Sequence, residues 1–262
     1  MRTQEKHATR FRSIQTSLLF VIVPAVIISM AVLSLMGYLS SKAIIQTSAG
    51  NEMSQCLSVA MGSIEMSLSN NRMVAETMAR GVEAIQRQAV KGDQTASDWD
   101  AAAYQEILTS FVGSNPETFG GGIWFEPYQY RPEQRYFSPY CMRQNGAVTY
   151  VDNYSLGEGV YYTDQDWYTN AANTTQKSVW SAPYYDEFAQ ISMVTSSAPI
   201  YDETGRLLGV ATADIDLTQM QQMVLSLDVV ANGRAFLIDD TGVYIADEDS
   251  EKLLSANILE DD

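Results

Sequence analysis

The strongest constraint on the fold is a run of 29 residues without a charged side chain, between Arg12 and Lys42. Its apolar part, Leu18–Met36, is long enough to cross a hydrocarbon core of roughly 30 Å as a helix. Pro24 lies in its first half, and proline is tolerated in membrane helices because neighbouring groups satisfy the freed backbone. We therefore predict a transmembrane helix over residues 17–39.

A cleaved signal peptide is the alternative for such a segment. The apolar region of a signal peptide is about 7–15 residues long and ends in a small-x-small cleavage site, whereas this one is longer and is followed by Gly37-Tyr38-Leu39. The head of the chain, residues 1–16, has four basic residues and one acidic residue. Because basic residues beside a membrane segment stay in the cytoplasm, we predict one uncleaved anchor in the cell membrane, with the body of the chain outside the cytoplasm.

The charge of the chain narrows the choice of partners. The sequence has 32 acidic and 16 basic residues, a net charge of −16, and so acidic a surface repels nucleic acid. The one histidine, His7, lies in the basic head, which excludes a histidine base or metal ligand from the body. Cys56 and Cys141 are too few for a metal cluster, and we predict neither a metal nor a cofactor.

A helical pattern follows the anchor. Apolar residues recur at steps of four and three, with the polar Asn71 in the one gap, at Leu57, Met61, Ile64, Leu68, Ala75, Met78, Val82, Ile85 and Ala89. This period of 3.5 predicts a long helix over residues 43–92, here called the stalk helix. We expect it to dock on its own domain and also to meet a second copy of itself in a homodimer.

From Gly120 the pattern indicates β-strands. They are predicted at residues 120–125, 136–137, 147–151, 178–180, 191–198 and 207–215, with a helix over 165–173. An antiparallel sheet with helices on one side accounts for this order, so the fold class is α+β. A second small unit starts after residues 219–223. In it Arg234–Ala246 is typical of a hairpin, which is too small for an independently stable sheet.

Five motifs occur in a fixed order along the body. They are Gly121-Gly-Ile-Trp-Phe-Glu-Pro127, Asp164-Gln-Asp-Trp-Tyr168, Trp180-Ser-Ala-Pro-Tyr-Tyr-Asp186, Ser197-Ala-Pro-Ile-Tyr-Asp-Glu-Thr-Gly205 and Gly209-Val-Ala-Thr-Ala-Asp-Ile-Asp-Leu217. In this order they resemble the double Cache sensor domains of bacterial chemoreceptors of the methyl-accepting chemotaxis type. The resemblance implies two PAS-like modules. A complete membrane-distal, ligand-binding module covers 93–218, and residues 219–262 are the start of a truncated membrane-proximal module.

The resemblance also implies a ligand site. In the amino-acid-sensing branch of this family an Arg-x-Trp-Tyr motif holds the ligand carboxylate, but Gln165 stands here where that arginine is expected. The implied site residues are Trp124, Tyr161, Asp166, Trp167, Tyr168, Tyr184, Asp186 and Asp214. Carboxylates beside aromatic faces suit an organic cation, so we expect an amine or a quaternary ammonium ligand, as in an amine-sensing branch.

Other interpretations remain open at this point. Trp167 and Tyr168 are by composition more often core than ligand cage, and Asp186 is placed where it could cap a turn. Asp214 is harder to dismiss because it interrupts an apolar strand and needs a partner if it faces inward. An amino-acid sensor of a histidine kinase or a diguanylate cyclase is the alternative function.

An enzyme is not expected, because the sequence has no phosphate loop and no nucleophile motif. A membrane-anchored glycoside hydrolase is the alternative from another class, since paired carboxylates and aromatic residues also line sugar sites. An adhesion ectodomain is a third possibility. It would bind no small molecule.

Overall fold

The computed structural model describes residues 14–91, 101–152, 154, 159–227 and 233–260, with the side chains of residues 18–88 in the first range. The chain divides into two compact units, of which the first ends at Gln55 and the second begins at Cys56.

One helix, α1, runs from Ile14 to Lys91. The segments predicted separately at 17–39 and 43–92 therefore belong to one continuous helix. In the first unit its apolar side chains are exposed. The most apolar 18-residue window of α1 has a mean hydropathy of 2.8, so the helix is long and apolar enough to cross a membrane.

The second unit is built on an antiparallel sheet. Its strands are β1 Gly120–Phe125, β2 Tyr140–Gln144, β3 Ala147–Val151, β4 Val179–Trp180, β5 Tyr184–Asp186, β6 Ile191–Tyr201 and β7 Leu207–Asp216. Their order is β3-β2-β1-β7-β6-β4, and β5 also pairs with β6. The long central strands β6 and β7 form a hairpin around the turn that begins at Asp202.

Three further helices and a small hairpin complete the described part of this unit. They are α2 Ala101–Ser114, α3 Asp166–Ala172, α4 Leu217–Leu225, and the antiparallel pair β8 Leu237–Ile238 and β9 Tyr244–Ala246. Asp216 caps α4 by accepting a hydrogen bond from the Thr218 backbone N–H at 2.8 Å. The sequence therefore folds as a PAS-like α+β domain, as predicted.

Helices α1 and α2 cover one face of the sheet. In α2, Tyr104, Leu108 and Val112 are fully buried at intervals of four residues, as on one side of a helix. Met78 of α1 is buried beside them. Gly121 of β1 faces this layer, where a Cβ would lie 3.3 Å from Met78 and 3.5 Å from Val112, so its missing side chain lets both helices approach the sheet.

The seam of the stalk helix is only partly buried. Ala75, Met78 and Val82 are fully buried against the sheet, as expected for a helix that docks on its own domain. Leu57 and Met61, which the same pattern includes, are exposed. The side chain of the last seam residue, Ala89, lies outside the description.

The predicted strand at Tyr136–Phe137 is wrong, because β2 begins later, at Tyr140. Pro139 has no N–H for a ladder. The carbonyl of Phe137 still accepts a hydrogen bond from the Phe125 backbone N–H at 3.1 Å. This segment lies beside β1 without forming a regular strand.

Candidate functional site

The second face of the sheet differs from the helix-covered one, and the difference starts in β1. Side chains alternate along a strand, so Gly120, Gly122 and Trp124 face one way and Gly121, Ile123 and Phe125 the other. The second group packs under α1 and α2. The first group faces the site.

The strand register directs Asp214 to the same side. Asp214 of β7 lies opposite Gly120 of β1 and Thr195 of β6, and Thr212 lies opposite Gly122. Residues directly opposite each other in an antiparallel pair share a face. An acidic side chain is therefore buried in the middle of the sheet.

Two glycines of β1 make room for the aromatic side chains of this face. A Cβ on Gly120 would lie 2.1 Å from the Tyr140 hydroxyl, and a Cβ on Gly122 would lie 2.7 Å from the Trp124 indole. Neither distance is compatible with a side chain. The glycine-rich start of the strand thus allows Tyr140 to reach Asp214 and lets Trp124 lie along the sheet.

Asp214 is 3% exposed and has two hydrogen-bond donors. The Tyr140 hydroxyl donates to Oδ2 at 2.7 Å and the Thr195 hydroxyl donates to Oδ1 at 2.8 Å. Burial raises the pKa of Asp214 from 3.8 to about 7; the two hydrogen bonds lower it, and the nearby Asp186 raises it further. The ionised form of Asp214 is thus penalised, because burial removes water and neither of its two hydrogen-bond donors is positively charged.

Asp186 is the second buried carboxylate, at 5% exposure. The Tyr154 hydroxyl lies 2.5 Å from both of its carboxylate oxygens, and the Ala189 backbone N–H donates to Oδ1 at 2.7 Å. Asp186 therefore stabilises the turn between β5 and β6, which was one of the two interpretations of the sequence. It also faces the same cluster as Asp214.

The tyrosines of the cluster are hydrogen-bond donors. Burial raises the pKa of Tyr140, Tyr154 and Tyr184 well above 10, and the nearby carboxylates raise it further. The hydroxyls of Tyr184 and Thr195 lie 2.8 Å apart. Because Thr195 has one hydroxyl proton and donates it to Asp214, the Tyr184 hydroxyl donates to Thr195.

The aromatic rings pack closely around the carboxylates. The ring centre of Trp124 lies 4.7 Å from that of Trp167, 5.2 Å from that of Tyr154 and 5.8 Å from that of Tyr140. Its indole N–H donates to the Thr212 hydroxyl at 2.8 Å. Since this N–H is already bonded, the cluster offers ring faces and carboxylate oxygens.

The residues described so far enclose a small cavity, here called the carboxylate cavity. It is lined by Trp124, Tyr140, Tyr154, Trp167, Tyr184, Asp186, Met193, Thr195, Thr212 and Asp214. Its volume is about 10 Å³, space for about one water molecule. None of these ten lining residues is a lysine, an arginine or a histidine.

Five of the predicted site residues come together in this cavity: Trp124, Trp167, Tyr184, Asp186 and Asp214. They derive from four different elements, β1, α3, β5 and β7. The sheet and the helix that packs on it therefore bring together residues up to 90 positions apart in the sequence.

The other three predicted residues lie elsewhere. Tyr168 is buried, but its hydroxyl donates to Glu126 Oε1 at 2.7 Å and it lines a separate open groove. Asp166 is exposed in the first turn of α3. Tyr161 is 39% exposed and stacks on Tyr136. The predicted group of three carboxylates thus contains two in the structure, because the helix turns Asp166 away from Trp167.

Sequence reasoning missed half of the lining: Tyr140, Tyr154, Met193, Thr195 and Thr212. Strand alternation from Asp214 would have identified Thr212. Thr195 was not distinguishable in the sequence, because β6 also contains Ser192, Ser196 and Ser197. Tyr154 follows β3 and belongs to no strand or helix, so no periodicity indicates its direction. Among the described residues, no group of three or more His, Cys, Asp or Glu is arranged to hold a metal ion.

One family model matches the part of the chain that forms the sheet. Residues 104–222, slightly less than half of the chain, match the family model described as methyl-accepting chemotaxis protein-like, first PDC sensor domain. This range extends from α2 to α4 and includes the whole antiparallel sheet. The match supports a sensor domain of the chemoreceptor class for this part of the chain.

Two relatives are similar in sequence. Methyl-accepting chemotaxis protein McpC of Bacillus subtilis is 38% identical over 84 residues, which are 32% of this chain and 13% of that protein. Methyl-accepting chemotaxis protein McpA of Pseudomonas putida is 24% identical over 208 residues, 77% of this chain and 31% of that protein. The chain thus spans less than a third of the length of either relative.

The same fold occurs in a solved chemoreceptor domain. The ligand-binding domain of the Campylobacter jejuni chemoreceptor Tlp3, in complex with L-valine, superposes with a TM-score of 0.57 at 17% identity. The match covers 81% of this chain and 75% of that one. At this identity the likeness shows the fold.

Proposed function

We propose that this chain is the sensor region of a transmembrane chemotaxis receptor and that the carboxylate cavity binds a small organic cation outside the cytoplasm. The observation that supports the proposal is a pair of buried carboxylates, Asp186 and Asp214, within an aromatic cluster that has no basic side chain in its lining. Burying a charged group without a counterion is costly. A structural core would have little reason to keep two.

A cationic ligand meets the chemistry of both kinds of side chain. Its charge offsets the burial of Asp214, whose raised pKa reflects a missing counterion. The faces of Trp124 and Trp167, which adjoin the carboxylates, attract a cation through their ring quadrupoles. An amine or a quaternary ammonium group is therefore the proposed ligand class.

An amino acid is the second candidate, because the similar Tlp3 domain was solved with L-valine. Its ammonium group would suit the same carboxylates, but its carboxylate needs donors. Gln165 stands where the arginine of the amino-acid motif is expected, and its side-chain amide donates to the Tyr161 carbonyl at 3.4 Å. This makes a simple amine the better candidate.

The remaining parts of the proposal concern topology. The apolar part of α1 anchors the chain, and the basic head that precedes it stays in the cytoplasm. Two copies pair through the stalk helix, and residues 219–262 contribute to a second, membrane-proximal module. Cation binding stabilises one arrangement of these parts over another, since a ligand transmits a signal only if it binds one state more tightly.

Binding of choline to the full chain in lipid nanodiscs tests the proposal. We expect choline and methylammonium to stabilise the protein thermally, and the neutral carbon analogue of choline to have no effect. Asp214→Asn and Asp186→Asn should each weaken choline binding roughly tenfold to hundredfold, because each loses a charge-assisted contact. Asp202→Asn, in an exposed turn, is the matched control.

The same measurement can reject the ligand class. Stabilisation by succinate alone, or equal stabilisation by choline and its neutral analogue, would exclude a cation site. Stabilisation by L-valine without any effect of methylammonium would favour the amino-acid alternative. Hydrolysis of a panel of chromogenic glycosides would favour the glycosidase alternative.

A further inference from the structure

The carboxylate cavity is too small for the ligand class proposed for it. Its volume of about 10 Å³ corresponds to about one water molecule. Choline has seven heavy atoms, and even methylammonium has two. At least one lining side chain must therefore move before an amine can enter.

The positions of the lining residues identify which side chain this is. Nine of the ten residues belong to a strand or to α3. Tyr154 alone among these ten belongs to no helix or strand. Its side chain is therefore outside the rows of alternating side chains that the strands hold in place, and it can move without disturbing the sheet.

Tyr154 makes the contacts that a cation would make. Its hydroxyl lies 2.5 Å from both carboxylate oxygens of Asp186. Its ring lies 5.2 Å from Trp124, 4.9 Å from Tyr140 and 4.4 Å from Phe188, centre to centre. The side chain thus combines a polar group on the carboxylate with a body inside the aromatic cluster.

The backbone of Tyr154 is fixed, so the ring is the part that moves. The Tyr154 N–H donates to the Ser138 carbonyl at 3.0 Å, and the Ser138 hydroxyl donates to the Tyr154 carbonyl at 3.1 Å. Phe188, which is 36% exposed, lies beside the ring in the turn after β5. This turn is the solvent side of the cluster.

We propose that Tyr154 is a gate residue, an internal occupant of the cavity whose side chain swings out toward Phe188 when a cation takes its place on Asp186. The inference rests on the proposed cation-binding function. It adds a competing contact within the protein that lowers the apparent affinity and sets which cations displace it. The energy needed to move the ring is part of every binding event.

Tyr154→Phe separates this role from that of an ordinary cage residue. It removes the hydroxyl that competes for Asp186, so choline should bind roughly tenfold more tightly to the full chain in nanodiscs. The melting temperature without ligand should fall, because Asp186 loses one of its donors. A residue with a merely structural role, or one that holds the ligand, would lower both stability and affinity.

Tyr162→Phe is the matched control. Tyr162 belongs to the same aromatic cluster, with its ring 5.5 Å from Trp124, but its hydroxyl donates to the Phe125 carbonyl and touches neither carboxylate. We expect this variant to lose some stability and to keep the wild-type choline affinity. Phe188→Ala, at a partly exposed position, should loosen the Tyr154 ring and raise the affinity by a smaller factor.

A second readout needs no ligand. Quenching of tryptophan fluorescence by acrylamide should be stronger in Tyr154→Phe than in the wild type or in Tyr162→Phe, because the cavity next to Trp124 and Trp167 opens more often. Equal or weaker choline binding by Tyr154→Phe, in a chain whose wild type binds choline, refutes the gate. Absence of choline binding in every variant refutes the cation proposal and the gate with it. Where the wild type binds choline, an unchanged quenching of Tyr154→Phe refutes the gate alone.

Discussion

The two faces of the central sheet differ in chemistry, although their residues alternate along the same strands. The face under α1 and α2 is an apolar core of residues such as Met78, Leu108 and Phe125. The opposite face is equally buried but combines aromatic rings with Asp186 and Asp214. Apolar burial stabilises a fold, whereas a buried carboxylate costs free energy unless it is compensated.

Trp124 and Phe125 show the contrast within one strand. They are adjacent, both are at most 3% exposed, and they point to opposite faces. Phe125 contacts other rings, with its centre 5.5 Å from Tyr104 and 5.8 Å from Phe137. Trp124 contacts rings and also lines the carboxylate cavity. Burial alone therefore does not tell a core residue from a site residue. Contact with buried carboxylates does.

A substitution in the apolar face should change stability the most. Phe125→Ala should lower the free energy of unfolding by about 3–5 kcal/mol, because it leaves a cavity among aromatic rings. Chemical denaturation of the full chain, followed by fluorescence, measures it. Choline affinity of the folded protein should remain within twofold of the wild type.

Trp124→Phe is the matched change on the other face. It keeps a ring in the core but removes the indole face and the hydrogen bond to Thr212, so it should weaken choline binding more than Phe125→Ala does. If instead Phe125→Ala abolished binding, the division of labour between the two faces would be wrong.

The next prediction concerns the polar face: the free energy of unfolding should depend on pH because Asp214 is buried. The pKa of Asp214 is about 7 in the fold and 3.8 in its ordinary state, so between these pH values the folded protein keeps a proton that the unfolded chain has lost. Stability therefore falls as pH rises from about 4 to about 7, by on the order of 3 kcal/mol, and is level above 7. Asp214→Asn should not show this fall.

The difference between the unfolding free energies of wild type and Asp214→Asn isolates this group from the other acids of the chain. The unfolding free energy of the wild type minus that of Asp214→Asn should fall as the pH rises to 7. Choline binding should strengthen over the same range, by up to tenfold per pH unit, because the cation favours ionised Asp214. A stability difference that does not vary with pH would show that Asp214 is already ionised in the fold at low pH.

Sequence alone indicated the parts of this contrast that depend on periodicity. The apolar runs at residues 120–125 and 207–215, bounded by turn residues, predicted β1 and β7, and the interruption of an apolar strand singled out Asp214. The turn at Asn145-Gly146 was also predictable, because Asn-Gly is a preferred pair where both turn residues need positive φ. Their φ angles are 52° and 80°. These are local rules, and the sheet obeys them.

The rest depended on contacts that no local pattern encodes. Asp166 and Trp167 are adjacent, yet the start of α3 exposes one and buries the other. Tyr154 lines the cavity from outside the strands, and the Ser138 hydroxyl donates a hydrogen bond to its carbonyl. This contact joins residues 16 positions apart, so no local pattern predicts it. Periodicity identifies the face of a strand, but the direction of a loop side chain is fixed by tertiary packing.

The smallest expected effect compares two aspartates on one strand. Asp216 lies two residues after Asp214 on β7, but its carboxylate caps α4 by accepting from the Thr218 N–H. Asp216→Ala should cost about 1 kcal/mol of stability, and Asp216→Asn should restore most of it because asparagine is also a good N-cap. Neither change should alter choline affinity.

If Asp216→Ala weakened choline binding as much as Asp214→Asn, the general negative charge of the strand would account for the attraction, and the buried cluster would have no special role. Unchanged affinity would instead limit the effect to carboxylates that share the cavity with the aromatic rings.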